Sequence, residues 1–430
     1  MAASAQETPT GEVRTEPAVP AKFACKGKNK AGISTKDGQS IDAMLISLDA
    51  TGVDYQEKSP IDGDVKGRVA WPLLSAASAN AVIKAGVDPQ SAEQLVLAGR
   101  VLQALPDGGA READKWYALA LKADPACKAQ VEAARKAPPP FPPALETGKV
   151  TRGLAKNNPE AWQAESGGSM RSAVGEAVGM TNQALAACKI SMSMNQNNLF
   201  VLYSDLPEAD TKKWAGRFNS IYAGMSKAFG CSTANIWHGK AVVLLFKSQE
   251  EYARYLASAF HANMAGSAGV CVSRSDGMVF IAMFQDARNP DLEYVLYHEF
   301  AHGFLHRYNA RTPVQSWANE GLAEFMASRF THANHSETQR VQNSVDALKK
   351  EGSFEDFFAA QNIQGKHYGV AGDITRMLVE CSPQRYGAFL GWLKQGANAD
   401  TALTNSYGIT AEGLVEAYGK RIGAKGLRSH

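Results

Sequence analysis

The sequence predicts an α+β protein: a mixed sheet and its helices form a large C-terminal domain, preceded by a small β-barrel and a helical connector. Three observations predict this. Short apolar runs between tight turns occupy residues 31–80, and helical periodicity occupies residues 81–137. After residue 150, apolar strand-like runs alternate with amphipathic helices. A proline-rich stretch at 138–150 precedes this last region and is the clearest domain boundary in the chain.

Length and charge exclude several classes of protein. The chain has 430 residues, with 45 basic and 43 acidic side chains and a formal net charge of +2. A length of this order corresponds to about two to four domains. The near-neutral charge provides no electrostatic reason to expect a nucleic-acid partner. The sequence contains no run of about 18 apolar residues, so no membrane span is expected.

The N-terminus and the cysteines bear on the cellular compartment. Residues 1–30 are predicted to be disordered, and residues 1–20 lack the basic and apolar regions of a signal peptide, although Ala3-Ser4-Ala5 has the small-residue pattern of a cleavage site. The six cysteines include no Cys-x-x-Cys pair. Buried free thiols and up to three disulfides are both compatible with their spacing. Disulfides would favour an exported protein, periplasmic or secreted, over a cytoplasmic one.

Residues 31–80 are predicted to form the small β-barrel. The run VKGRVAW at 65–71 alternates apolar and polar residues as a half-buried strand does, and Asp-Gly and Thr-Gly pairs separate the strand-like runs. This pattern resembles the small Src-homology-3-like modules found ahead of bacterial enzymes. The resemblance implies an accessory module that binds a protein partner. A structural appendage is the alternative.

Residues 81–137 are predicted to be a helical connector. The run EADKWYALA followed by Asp124-Pro125 resembles one tetratricopeptide-type helix with its terminator. One such unit does not make a repeat array, because stacking needs about three. Residues 138–150 contain the run PPPFPP, which is typical of a stiff spacer. Residues 151–430 then form the C-terminal domain.

The C-terminal domain begins as alternating helices and strands. A helix is predicted near 169–187, followed by a strand at 199–203 and an amphipathic helix that carries Trp214 and Tyr222 on one face. A buried strand at 241–246 leads to a helix that contains Tyr252, and another strand covers 277–283. A sheet flanked by helices therefore leads into the segment that carries the chemistry.

That segment is a helix with a metal-binding pattern. The run NPD at 289–291 is a typical helix start, and the helix contains HEFAH, with His298 and His302 four residues apart. Residues at this spacing lie about 5–6 Å apart on one helix face, so both imidazoles can bind one zinc ion. Glu299 is then placed beside the metal rather than on it. His306 shares the face but lies about 12 Å from His298 along the helix, too far to join the same site.

A second helix supplies a candidate third ligand. The run SWANEGLAEF at 316–325 places Glu320 eighteen positions after His302. Glu324 follows one turn later, where a carboxylate can accept the second N–H of a ligating histidine and fix its tautomer.

HEFAH followed by WANEGLAEF resembles the gluzincin metallopeptidases, the group that includes thermolysin, aminopeptidase N and the bacterial peptidase-MA-like proteins. The resemblance covers residues 195–385 approximately and is most specific between His298 and Glu324. It implies a zincin-like fold, a bound zinc ion and a peptide or protein substrate. The roles it implies are zinc ligation by His298, His302 and Glu320, general-base catalysis by Glu299, and support of the ligands by Asn319 and Glu324.

The same resemblance implies a donor that stabilises an oxyanion. In the aminopeptidase-like branch this donor is a tyrosine just before a helix, and KHYGVAG at 366–372 resembles that setting. Tyr368 is the candidate and His367 the second choice. An aromatic residue packed in the core is the alternative interpretation of Tyr368.

One departure from the family pattern concerns specificity. Aminopeptidases carry a GxMEN segment whose glutamate binds the free amine of the substrate, but the corresponding edge-strand region here, SDGMVFIAMF at 275–284, has no glutamate. This difference favours an endopeptidase. Two other functions stay open: a non-catalytic scaffold that acts as a binding or structural protein, and a zinc hydrolase of non-peptide amides or esters.

Overall fold

The computed structural model describes residues 22–25, 29–36, 40–59, 63–106, 108–141, 145, 147–148, 154, 158–228, 235–261, 267–285, 292–331 and 335–430. Residues 1–21, the helix start expected at 289–291 and Cys231 lie outside these ranges, as does part of the proline-rich stretch. Of the helices described, none has both the length and the apolar character needed to cross a membrane.

The N-terminal region is an antiparallel sheet of five strands. The strands are β1 (Phe23–Ala24), β2 (Lys30–Ser34), β3 (Ser40–Leu48), β4 (Gly52–Ser59) and β5 (Gly63–Ala70). Strand β3 pairs with β1 and β2 along one side and with β4 along the other, and β4 pairs with β5. A closed barrel would need β5 to pair with β2, and the strands described here do not make that pair. The sheet also begins before residue 31, because Phe23 and Ala24 pair with β3.

Four α-helices follow the sheet in the part of the chain that the structure describes up to residue 141. They are α1 (Ala76–Gly86), α2 (Ala92–Gln103), α3 (Gly109–Ala123) and α4 (Lys128–Lys136). The side chains of Ser75 and Ser91 accept the N–H groups of Ser78 and Gln94, so each stabilises the first turn of its helix. Two described residues of the expected spacer pack on the protein: Phe141 and Leu145 are both buried, and the Cys381 thiol donates to the Leu145 carbonyl.

A second five-stranded sheet forms the centre of the C-terminal region. Its elements are α5 (Gly167–Ala187), β6 (Ser193–Gln196), β7 (Phe200–Ser204), α6 (Glu208–Ala228), β8 (Ala241–Phe246), α7 (Gln249–Phe260), β9 (Gly269–Ser273) and β10 (Val279–Phe284). The strand order is β6-β7-β8-β10-β9, in which β7, β8 and β10 are parallel and the outer strands β6 and β9 are antiparallel to their neighbours. The segment 275–284, expected at the edge of the sheet, therefore contributes the interior strand β10, and the edge strand is β9.

Strand β8 shows why helices cover both faces of this sheet. All six of its residues are buried, as expected for a central strand with parallel neighbours. Successive side chains point to opposite faces. Val242 and Leu244 join the cluster of α5 and α7, whereas Val243 and Leu245 join the main core with Phe218 of α6.

The described residues from 292 onward form seven α-helices. They are α8 (Leu292–Arg307), α9 (Ser316–Phe330), α10 (His335–Glu351), α11 (Tyr368–Cys381), α12 (Pro383–Leu393), α13 (Ala399–Tyr407) and α14 (Ala411–Ile422). Helices α9 and α11 cross at close range through glycines: a Cβ at Gly321 would lie 2.6 Å from the Ala371 carbonyl oxygen, and one at Gly372 would lie 2.8 Å from Cβ of Glu324. The predicted mixture of helices and strands is confirmed.

The five described cysteines, Cys25, Cys127, Cys188, Cys271 and Cys381, are all free thiols. Cys231 lies outside the described residues.

Candidate metal centre

Three candidate ligand atoms converge between helices α8 and α9. The Nε2 atoms of His298 and His302 lie 3.1 Å apart. Oε2 of Glu320 lies 3.4 Å from the first and 3.5 Å from the second. These three side chains are the group in the described part of the chain whose ligand atoms could hold one metal ion. The side chains are only 13%, 16% and 15% exposed, so the centre is largely shielded from bulk water.

The neighbours of the two imidazoles decide which nitrogen faces the centre. Nδ1 of His302 lies 3.0 Å from Oδ1 of Asn319, and because an amide oxygen only accepts, that nitrogen carries the hydrogen. Nδ1 of His298 makes no aligned hydrogen bond, but it lies 3.3 Å from Oε1 of Glu324, so a hydrogen on that nitrogen faces a carboxylate charge. Both Nε2 atoms are then free to present lone pairs to the centre, alongside the carboxylate oxygen of Glu320.

The separations of the three atoms are compatible with a tetrahedral metal ion such as zinc. Ligands at about 2.0–2.1 Å from zinc in a tetrahedron stand about 3.3–3.4 Å from one another, and the three observed separations are 3.1, 3.4 and 3.5 Å. Oε2 of Glu320 is buried and has no hydrogen-bond partner among the described residues. Three mutually repelling lone pairs at this distance call for a cation. A proton can bridge only one pair of them, whereas a metal ion satisfies all three.

The titration behaviour of the metal-free centre follows from the same charges. Burial alone would lower the pKa of His298, but the carboxylates of Glu320 and Glu324, with a further contribution from Glu299, raise it to about 10. Burial alone would raise the pKa of Glu320, and the His298 and His302 imidazoles lower it to about 2. The pKa of Glu324 is likewise lowered, because His298 outweighs the effect of its burial. Without a metal, the site therefore holds a proton on His298.

Glu299 lies on the side of α8 that faces the edge strand β9. A Cβ added to Gly269 of β9 would stand 3.2 Å from Cγ of Glu299 and 2.6 Å from Cγ1 of Val295. The absence of a side chain at Gly269 therefore leaves the space in which Glu299 lies. Cys271 on the same strand has a pKa of about 12, raised by burial and by the Glu299 charge. The Glu299 charge therefore acts both on the thiol of Cys271 in the edge strand and on the imidazole of His298.

The structure separates the two candidates for the oxyanion donor. The ring of Tyr368 lies parallel to that of His298, with 6.4 Å between centroids. Burial, with the charges of Glu320, Glu324 and Glu299, raises the pKa of this phenol to about 12, so it stays protonated near the carboxylates of the site. His367 instead is buried against Phe357, with its Nε2 3.7 Å from Oε2 of Glu351. Tyr368 therefore faces the site and His367 faces away.

The C-terminal end of α8 is held by contacts remote from the centre. His306 directs Nε2 to the Arg274 carbonyl at 2.9 Å, in agreement with its exclusion from the ligand set. The His306 carbonyl accepts the ammonium of Lys394 at 3.2 Å. Lys394 is 1% exposed, and burial together with the charge of Arg307 lowers its pKa to about 7. The sequence offers no signal for this buried lysine, because its contact joins residues 88 positions apart in the chain.

Two further contributors have no sequence motif. Tyr294, one turn before His298 on α8, donates its hydroxyl to Oε2 of Glu324 at 2.5 Å. Gly321 allows α11 to lie close to α9 and so brings Tyr368 towards the ligands. A glycine directly after the candidate ligand Glu320 was a weak signal of such close approach.

No protein-family model and no curated protein matches this chain.

Proposed function

We propose that this protein is a zinc-dependent peptidase of the gluzincin type that cleaves within peptide chains. The observation that carries the proposal is the convergence of His298, His302 and Glu320 at separations of 3.1–3.5 Å, with the general-base candidate Glu299 on the same helix. Two histidines and one carboxylate leave a fourth zinc position open, which is typical of catalytic sites.

Each residue has a role in this proposal. His298, His302 and Glu320 hold zinc, which when bound supplies the Lewis acidity that acidifies water and polarises a carbonyl. Glu299 accepts the proton of the attacking water and passes it to the leaving amine. Tyr368 donates a hydrogen bond to the oxyanion that develops in the transition state, a contribution of about 3–4 kcal/mol in comparable sites.

The edge strand supports a peptide substrate. Strand β9 pairs with β10 on one side only, among the strands described, and Gly269 brings its backbone close to Glu299. An extended peptide can add to such an edge through main-chain hydrogen bonds. The backbone of a substrate peptide paired with β9 would pass beside Glu299, whichever side chains the peptide carries. The residues 267–285, which contain β9 and β10, include no glutamate that could bind a free amine, which favours an endopeptidase.

The proposal extends to the fold. The helices α8 and α9 over a mixed sheet are compatible with a zincin-like domain, and the five-stranded N-terminal sheet with a small Src-homology-3-like module that docks a protein partner. The same proposal includes a periplasmic or secreted location, which is compatible with a peptidase.

The decisive experiment combines metal analysis with a general substrate. The protein, purified without chelator, is expected to hold about one equivalent of zinc and to cleave casein in a reaction that a chelator stops. Glu299→Gln should keep its zinc and lose about 10²–10⁴-fold in rate, because only proton transfer is removed. Glu416→Gln, an exposed carboxylate on α14, is the matched control and should behave as wild type.

Other results would redirect the assignment. A protein that holds iron instead of zinc, or no metal at all, contradicts the proposal. Bound zinc without casein cleavage favours the scaffold or the hydrolase of non-peptide substrates, and a panel of esters and small amides separates those two.

A further inference from the structure

Glu324 makes contacts with both of its oxygens, and the two contacts have different consequences. Oε1 lies 3.3 Å from Nδ1 of His298, and Oε2 accepts the Tyr294 hydroxyl at 2.5 Å. A hydroxyl bound to one oxygen prevents the carboxylate from rotating about its last bond. Oε1 of Glu324 is then kept facing His298, at a fixed distance and angle to Nδ1.

Tyr294 is itself held from a different helix. The phenol is 4% exposed, and the guanidinium carbon of Arg340 on α10 lies 4.3 Å from the centroid of its ring. A guanidinium over an aromatic face is attracted to the ring, and this fixes the plane in which the ring lies. The contacts therefore run from Arg340 to Tyr294, on to Glu324 and then to His298.

We propose that Tyr294, with its ring held by Arg340, is a positioning residue that fixes Glu324 and so presents Nε2 of His298 to the metal. This inference rests on the zinc site of the proposed function and adds a determinant of metal retention that acts through Glu324 without touching the metal. It also makes helix α10 part of the apparatus that retains the metal.

The expected effect on zinc release follows from the position of Tyr294 in the series of contacts from Arg340 to His298. Partners that hydrogen-bond directly to ligating histidines change metal affinity by about 10–100-fold. Tyr294 contacts Glu324 and not the histidine itself, so we expect an effect at the lower end of this range of about 10–100-fold. Tyr294→Phe should therefore release zinc about tenfold faster than the wild type. The ring contact is weaker, and Arg340→Met should accelerate release by about twofold to fivefold.

The experiment measures zinc release from the loaded full-length protein into a chromogenic chelator at 25 °C. Tyr294→Phe keeps the ring and removes only the hydroxyl. Tyr297→Phe, on the same helix and stacked on Phe330, is the matched control and should release zinc at the wild-type rate. Arg340→Lys keeps a cation for the ring and should restore much of the retention lost in Arg340→Met.

Two readouts distinguish positioning from a general loss of stability. Cobalt-substituted Tyr294→Phe should show an altered visible absorption spectrum, since the orientation of His298 changes, whereas Tyr297→Phe should not. Arg340→Met should add less acceleration in the Tyr294→Phe background than in the wild type, because the ring contact then has no hydroxyl to position and only the direct effect of the Arg340 charge on Glu324 remains.

The outcomes separate this inference from the proposed function. Wild-type zinc release from Tyr294→Phe overturns the inference and leaves the peptidase proposal intact. Faster release from a protein that never cleaves casein supports the inference and overturns the proposed function. A protein that binds no zinc overturns both.

Discussion

In the metal-free protein, two buried groups are expected to make the free energy of unfolding depend on pH in opposite directions. His298, in the metal centre, has a pKa raised to about 10. Lys394, at the far end of the same helix, has a pKa lowered to about 7 by its burial and by Arg307. Both lie far from the values of about 6.5 and 10.4 expected in the unfolded chain.

The sign for each group follows from which state binds the proton. The folded protein holds a proton on His298 that the unfolded chain releases above about pH 6.5, so this stabilisation is complete below pH 6.5 and is lost as the pH rises towards about 10. The unfolded chain holds a proton on Lys394 that the folded protein releases above about pH 7. The cost of burying Lys394 therefore falls as the pH rises from about 7 towards about 10.4.

The two slopes nearly cancel in the wild-type protein. Between pH 7.5 and 8.5 each group contributes a difference of close to one proton between the states, equivalent to about 1 kcal/mol per pH unit with opposite sign. The contributions of these two groups should then offset each other in the wild-type protein. Relative to the wild type, His298→Gln should gain stability with rising pH and Lys394→Met should lose stability, each by about 1 kcal/mol per pH unit.

The assay is urea unfolding in excess chelator at several pH values between 7.5 and 8.5. Burial also raises the pKa values of the thiols of Cys25, Cys271 and Cys381, the first two to about 11 and 12. These thiols add a fall in stability that begins at about pH 8 and is common to all three proteins, so the comparison is between the slopes of the variants and that of the wild type. Three parallel stability curves would refute the reasoning, since each variant removes one of the two groups. Zinc-loaded protein should lack the His298 slope, because the metal requires the neutral imidazole.

Two further predictions concern catalysis. Gly269→Ala should lower casein cleavage by about tenfold at unchanged zinc content, because the new Cβ would stand 3.2 Å from Cγ of Glu299. Adding Val295→Ala, which removes the 2.6 Å contact with Val295, should restore the melting temperature but not the rate of cleavage. Full activity of Gly269→Ala would argue against the position of Glu299 beside β9. Tyr368→Phe should lower kcat by about 10²–10³-fold with zinc retained, and an unchanged kcat would assign Tyr368 to packing alone.

Local spacing made much of this protein predictable. The strand at 241–246, the helix of HEFAH and the helix of NEGLAEF are each visible as periodic or motif-bearing segments, because the geometry of one helix or strand depends on residues a few positions apart. The i, i+4 spacing alone indicates that His298 and His302 share a face.

Other predictions depended on long-range packing and turned out differently. The segment 275–284 is apolar enough to be any strand of the sheet, and only pairing shows that it is interior and that β9 is the edge. The N-terminal strands were expected to close into a barrel, yet closure depends on β2 meeting β5, a contact that no local pattern encodes.

By itself, then, the sequence determined which residues could bind a metal and on which helices they lie, because helical spacing is a local property of the chain. Only the tertiary structure decided that Glu320 reaches within 3.5 Å of both imidazoles, that Tyr368 faces the site and that Tyr294 holds Glu324. Those relations join helices far apart in the chain. They arise from the packing of α8, α9, α10 and α11 at close range, which glycines such as Gly321 and Gly372 allow.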